Sequence, residues 1–186
     1  MGRKRKNSPN MKVYGVPFRV TEMKATTKGQ IRWYVSMREP DGSVLHGENV
    51  GKLVTAKSIK AEVVIKATES IIRENGERVL EWLRAGRLKE ATPELLLLAL
   101  PEESIERVYG KSDEEHRELV RQVVKLLPPI SELQEKMETV TQRAVEKVVE
   151  VKEKGSVVKR VLNRLYDEAV SWGIIEENRA KKVLIA

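Results

Sequence analysis

The chain has 186 residues and no cysteine, with 35 Lys/Arg against 28 Asp/Glu for a formal charge of +7. Without cysteine, disulfides, thiolate metal sites and cysteine nucleophiles are excluded. No apolar run reaches about 18 residues, so nothing is expected to span a membrane.

Catalysis fails on inventory. No P-loop and no GxGxxG is present, and neither His46 nor His116 has a motif around it that supports metal binding or base catalysis. The chain is therefore expected to be no enzyme, with no catalytic residues, no metal and no cofactor. The high charged content and scarce Asn and Gln resemble heat-adapted proteins. The expected setting is cytoplasmic, associated with a nucleoid or with viral DNA.

The charge is uneven: residues 1–60 carry a net +9, residues 61–130 a net −3 and residues 131–186 a net +1. A basic first third points to a polyanion met by the N-terminal end. Residues 1–10 read as a disordered basic arm, in which Arg3, Lys4, Arg5 and Lys6 suit phosphate contact without fixed geometry.

Residues 11–76 are predicted to form a sheet-plus-helix module. Tyr14, Val16, Phe18 and Val20 alternate with polar or turn-forming neighbours, which predicts one strand interrupted near Pro17. In Gln30–Arg38, Ile31, Trp33, Val35 and Met37 point one way, and Arg32, Tyr34, Ser36 and Arg38 the other. Glu39-Pro40-Asp41-Gly42 is a turn, and a further strand follows through Ser43–His46 towards Val50. A helix capped by Thr55 is predicted from Ala56 to Gly76, with Ile59, Val63, Val64, Ala67 and Ile71 covering the apolar side of a three-stranded antiparallel sheet.

Residues 77–129 are expected to be a helical linker or scaffold, with helices over 77–85, after Thr92-Pro93 and after the capping box Ser112–Glu115. Pro128-Pro129 marks the boundary. Residues 130–186 form the helical module: a helix from Ser131 towards Lys154, then one from Ser156 to Trp172. In the second, Val158, Val161, Leu162, Leu165 and Ala169 face inward. The fold class is thus α+β, a small sheet with its covering helix followed by a helical bundle.

Two surfaces suit double-stranded DNA. On the sheet, Arg32 and Arg38 suit guanine edges or phosphates, and Tyr34 and Ser36 can donate to phosphate. On the helix, Lys159, Arg160, Asn163 and Arg164 recur at i, i+4, and Asn and Arg are the readers of adenine and guanine. Arg179, Lys181 and Lys182 extend the basic C-terminal end. Ordinary solvated faces share these patterns.

The stretch Gly155–Val183, with Ala169, Trp172-Gly173, Ile174-Ile175 and Asn178-Arg179-Ala180, resembles the last helices of the core-binding domain of tyrosine recombinases (phage-type integrases). Trp33-Tyr34-Val35, Pro40-Asp41-Gly42 and the helix after Thr55 are similar to that family's arm-binding domain. The resemblance implies the DNA-recognition half of an integrase, in either a larger recombinase or a standalone protein. It departs at Arg179, where the family has proline, in the length of 77–127, and in the lack of His-x-x-Arg: His116 is followed three residues on by Leu119 and His46 by Asn49. Two alternatives use the same residues. One is a winged-helix transcription or replication factor, with a strand near Gly173–Ile175 and a basic wing over Arg179–Ile185. The other is an oligomeric interaction protein without nucleic-acid binding, in which helix 131–153 packs against copies of itself.

Overall fold

The computed structural model describes residues 10–185, an α+β arrangement in which an antiparallel four-stranded sheet precedes the helices. The strands are β1 (Asn10–Val13), β2 (Val16–Ala25), β3 (Ile31–Met37) and β4 (Gly51–Ala56), paired in sequence order. The early basic residues Arg3, Lys4, Arg5 and Lys6 lie outside the described residues.

The sheet has four strands where alternation alone predicts three. Tyr14 and Gly15 take φ of 54° and 90°, and Val13 sits directly across from Val16. Two positive-φ residues between paired strands form a mirror-image turn whose twist matches the strands. The predicted single strand is therefore a hairpin. Tyr14 is held in this unfavourable backbone region while its hydroxyl donates to Glu69 at 2.7 Å.

The last strand also moves. Glu39–Gly42 turns as predicted, with Gly42 N–H donating to the Glu39 carbonyl at 2.7 Å. Beyond it, residues 43–50 form no strand: Arg38 and Val44 make an isolated bridge, and the Val50 carbonyl accepts from Met37 N–H at 2.7 Å. The strand proper is Gly51–Ala56, so Thr55 belongs to the sheet rather than to a helix cap.

Helix α1 (Ala61–Glu74) begins after Lys60 and buries Val64, Ala67, Ile71 and Ile72. It packs on β3 and β4. Val16, Phe18, Val35 and Met37, all almost fully buried, supply the matching sheet face. The helix ends at Asn75, whose side-chain amide donates to the carbonyls of Ile71 and Asn49. Gly76 then opens the next helix instead of stopping this one.

The chain divides into two units, residues 1–76 and 77–186. The second contains α2 (Gly76–Arg84), α3 (Pro93–Ala99), α4 (Glu102–Tyr109), α5 (Glu114–Lys125), α6 (Ile130–Val148), α7 (Lys152–Ser171) and α8 (Lys181–Ile185). Residues 77–129 pack together with 130–186, with α4 and α5 lying against α7 and α5 against α6. The break at Pro128-Pro129 separates two helices within one unit. Ser131 does not cap α6; its hydroxyl donates to the Lys89 carbonyl at 3.0 Å. Asp113, not Ser112, caps α5 by accepting from the His116 N–H.

Helix α6 ends at Val148 rather than running to Lys154, and its backbone departs from helical geometry at Lys136. Leu133, Met137, Ala144 and Val145 are buried within this unit. Of the apolar residues along the helix expected to pack against copies of itself, Leu133, Met137 and Ala144 are thus covered inside the chain, while Val151 is exposed. Gly155, which lies between the two helices expected over 131–154 and 156–172, is inside α7 and buried. The winged-helix expectation meets a similar correction: the chain turns at Gly173, and its last element is α8, so no strand or wing follows α7 among the described residues. No helix among them is long and apolar enough to cross a membrane.

Helix α7 is the centre of this unit, burying Val158, Val161, Leu162, Leu165, Tyr166 and Ala169. Tyr166 shares a buried 2.9 Å hydrogen bond with Thr141 of α6. Burial pushes its hydroxyl up to about 12, only partly offset by the bond to Thr141. The folded state therefore favours the neutral phenol. The linked stability is fully present below the ordinary value of 10.0 and is lost as pH rises through about 12. Ultraviolet titration should show one tyrosine ionising after the rest, and that late step should vanish in Tyr166→Phe.

Candidate nucleic-acid interface

The pairing register decides which side chains share a sheet face, because directly opposed residues in antiparallel strands point the same way. Arg19 lies opposite Ser36, which lies opposite Gly51; Thr21 opposite Tyr34, opposite Leu53; and Arg32 opposite Thr55. Lys12 and Pro17 pair at one end, where Arg38 N–H donates to the Pro17 carbonyl at 2.9 Å. All these positions face away from α1. Lys12, Arg19, Arg32 and Arg38 are cationic, and no Asp or Glu occupies a strand position on this side.

The four sheet residues expected to meet DNA are not equivalent. Arg32 and Tyr34 are exposed, and Arg32 has no ion pair among the described residues. Ser36 is half-buried, with its hydroxyl 3.4 Å from the Arg19 carbonyl. Arg38 is also half-buried and sits just beyond β3; its Nε is buried without a hydrogen-bond partner among the described residues. Leu53, more than half exposed at 55%, adds apolar surface beside Tyr34. Residues 51–56 lie beyond the predicted strand, so the place of Leu53 on this face is not legible there, although Leu53 and Thr55 alternate with Lys52 and Val54.

Tyr34 is seated in a specific way. A Cβ placed on Gly51 would lie 2.2 Å from the Tyr34 hydroxyl oxygen. The ring therefore rests across the bare backbone of β4, an aromatic residue filling the place of a missing side chain. This limits its rotamers and fixes where its hydroxyl is presented, reducing the entropy lost on contact with a ligand.

In the second unit, the side chains of α7 divide. Asn163 accepts at Oδ1 from Asn178 at 2.7 Å, and the same Asn178 amide also lies 3.0 Å from Asp167. Asn163 is thereby tied to the chain after α7, and its Oδ1, half of the pair that bidentate adenine reading needs, is engaged there. Lys159 shares its side of the helix. Arg160 and Arg164 are exposed on another side and line a cavity of about 230 Å³ together with Lys111 and His116. Sequence reasoning missed Lys111 and His116, because only packing of α5 on α7 brings them there.

Arg179 donates to Glu177 at 2.7 Å and approaches the Gln134 carbonyl at 3.4 Å. Lys181 and Lys182 are exposed on α8. Among the described residues, no three His, Asp or Glu side chains are grouped to hold a metal ion. The sheet set belongs to the first unit, and the α7 and α8 sets to the second.

The Gly51–Tyr34 seat gives a test by double-mutant cycle. Gly51→Ala should displace the ring and cost about 1–3 kcal/mol of stability, the range for overpacking. Most of that cost should disappear in the Tyr34→Ala background, as measured by chemical unfolding; additive losses would mean that the two residues are uncoupled.

Sought among protein-family models, curated proteins and solved structures, the chain finds no match, so its likeness to tyrosine recombinases rests on the residues quoted above alone.

Proposed function

We propose that the chain binds double-stranded DNA, with the open face of its sheet as the principal contact and α7 as a second, in the manner of the recognition half of an integrase. The observation that carries the reading is the sheet face itself. It presents Arg32 and a seated Tyr34, and its strand positions hold the cations Lys12, Arg19 and Arg32 with no carboxylate, Arg38 following just beyond β3. A sheet of this kind can enter a major groove, where Arg meets guanine edges or phosphates and Tyr donates to phosphate.

The charge distribution supports the same partner. The first 60 residues carry a net +9, and such a field attracts a polyanion before any specific contact forms. In the second unit, Arg160, Arg164, Lys181 and Lys182 are exposed cations available to a duplex. The resemblance of Gly155–Val183 to a recombinase core-binding domain supports a role for this end as well.

Fluorescence anisotropy with a duplex of random sequence, repeated over a salt series, tests the proposal. Log affinity should fall linearly with log salt, with a slope of about −0.9 for each phosphate neutralised. Arg32→Ala should weaken binding and reduce that slope by about 1. Tyr34→Ala should weaken binding with a smaller change in slope. Absence of binding at low salt, or an affinity indifferent to Arg32→Ala and Tyr34→Ala together, would return the sheet face to solvent.

A further inference from the structure

We propose that the cavity between the start of α5 and the side of α7 is a binding site for a single phosphate group. Its supply from a nucleic-acid strand rests on the reading of α7 above; the site itself does not.

The cavity is about 230 Å³, and its lining includes Lys111, Ser112, Asp113, His116, Arg160 and Arg164. Three of these are permanent cations and one is a carboxylate, leaving a net +2. A phosphate monoester or inorganic phosphate near neutral pH carries between −1.5 and −2, close to the opposite of that charge. Concave placement matters here. Cations on a convex surface each meet a different anion, whereas cations around a cavity converge on one.

The acid in the lining is already engaged. Asp113 Oδ1 accepts the His116 backbone N–H at 2.9 Å and lies 2.6 Å from His116 Nδ1. Its charge is thus directed to capping α5, and the adjoining histidine is oriented by the same contact. The cations, by contrast, have been left without carboxylates. Elsewhere in this unit Arg107 is held by Glu168, Arg121 by Glu114 and Glu118, and Arg179 by Glu177. Lys111, Arg160 and Arg164 form no ion pair among the described residues. Where charged residues are abundant, three unneutralised cations around one hollow favour an anionic ligand over mutual repulsion.

Arg164 is also positioned by the backbone beneath it. A Cβ built on Gly110 would fall 2.6 Å from Arg164 Nη1, and Gly110 has a φ of 55°. The guanidinium lies over a residue without a side chain, at a backbone conformation that favours glycine. Arg160 lies one turn earlier on α7, so two planar forks approach the cavity from the same helix. Guanidinium forks match the paired oxygens of phosphate, forming short charge-assisted hydrogen bonds.

The test uses the full chain, inorganic phosphate and the ring signals of its two histidines. At constant ionic strength, phosphate added in place of chloride should move the His116 resonances saturably and leave those of His46, in the first unit, in place. Arg164→Ala and Arg160→Ala should each weaken that response about tenfold or more, the loss expected for a hydrogen bond to a charged group. Both residues are exposed, and unchanged amide spectra elsewhere will show that the fold survives. Arg164→Lys, which retains charge but not the fork, should restore part of the affinity.

Duplex DNA then identifies the source of the phosphate. If DNA competes with phosphate at His116, the site holds a backbone or terminal phosphate of the nucleic acid. If phosphate binds and DNA does not compete, the site takes a free phosphate compound: the proposal stands and the DNA role of α7 falls. If phosphate leaves His116 unmoved while Arg160→Ala and Arg164→Ala reduce DNA affinity, the proposal is overturned and the DNA reading survives. If neither ligand responds, both readings of α7 fall.

Discussion

Burial of alternate side chains against α1 is the constraint on which the first unit depends. A strand can turn only every second residue towards its cover. Once Val16, Phe18, Val35 and Met37 are committed to the helix, Arg19, Arg32, Tyr34 and Ser36 must point the other way. The apolar residues thus fix the address of the polar ones. Lys52 illustrates the rule from the other side, because its place in the register turns it towards α1, where Nζ meets Ser70 and Glu74. Its charge is neutralised there, with the Glu74 carboxyl held below the usual range chiefly by that hydrogen bond. One sheet therefore separates a cation neutralised against α1 from the exposed Arg32 on its opposite face.

The second unit works by division of labour around a single helix. The apolar residues of α7 form its centre, and its polar residues are shared among several neighbours. Arg107 of α4 reaches Glu168 through two hydrogen bonds, at 2.7 and 3.1 Å, and holds that carboxyl below its ordinary range. Tyr166 is joined to α6 and Asn163 to the segment before α8. Only after these assignments do Arg160 and Arg164 remain, directed towards the start of α5. An amphipathic helix with a basic outer side can look uniform in sequence while serving several structural contacts and one open surface.

The parts legible in the sequence were those whose signal is local. The alternation through Ile31–Met37, the turn at Glu39–Gly42, the apolar stripe of α7 and the helix over 77–85 all depend on nearby residues, and the structure has them close to where expected. The misread parts depend on distant ones. A two-residue turn at Tyr14-Gly15 interrupts a polar/apolar rhythm without leaving a Pro or Asn signal. Thr55 looks like a helix cap until β3 claims it as a strand partner. Ser131 looks like another until the Lys89 carbonyl claims its hydroxyl. The same limit applied to the candidate site. Charge and residue type pointed to Arg32, Tyr34, Arg160 and Arg164, whereas the seat on Gly51 and the grouping with Lys111 and His116 come from tertiary packing. Asn163, chosen for its chemistry, is engaged by a residue fifteen positions away.

Gly155 carries a consequence for the stability of the second unit. It sits in the first turn of α7 although no contact demands a glycine: a Cβ there would come no closer than 3.7 Å to Val149, an ordinary packing distance. Glycine within a helix forfeits about 1 kcal/mol relative to alanine. The start of α7 therefore carries a local cost that its packing does not require, and a chain otherwise rich in charge retains at this one position an unused reserve of stability.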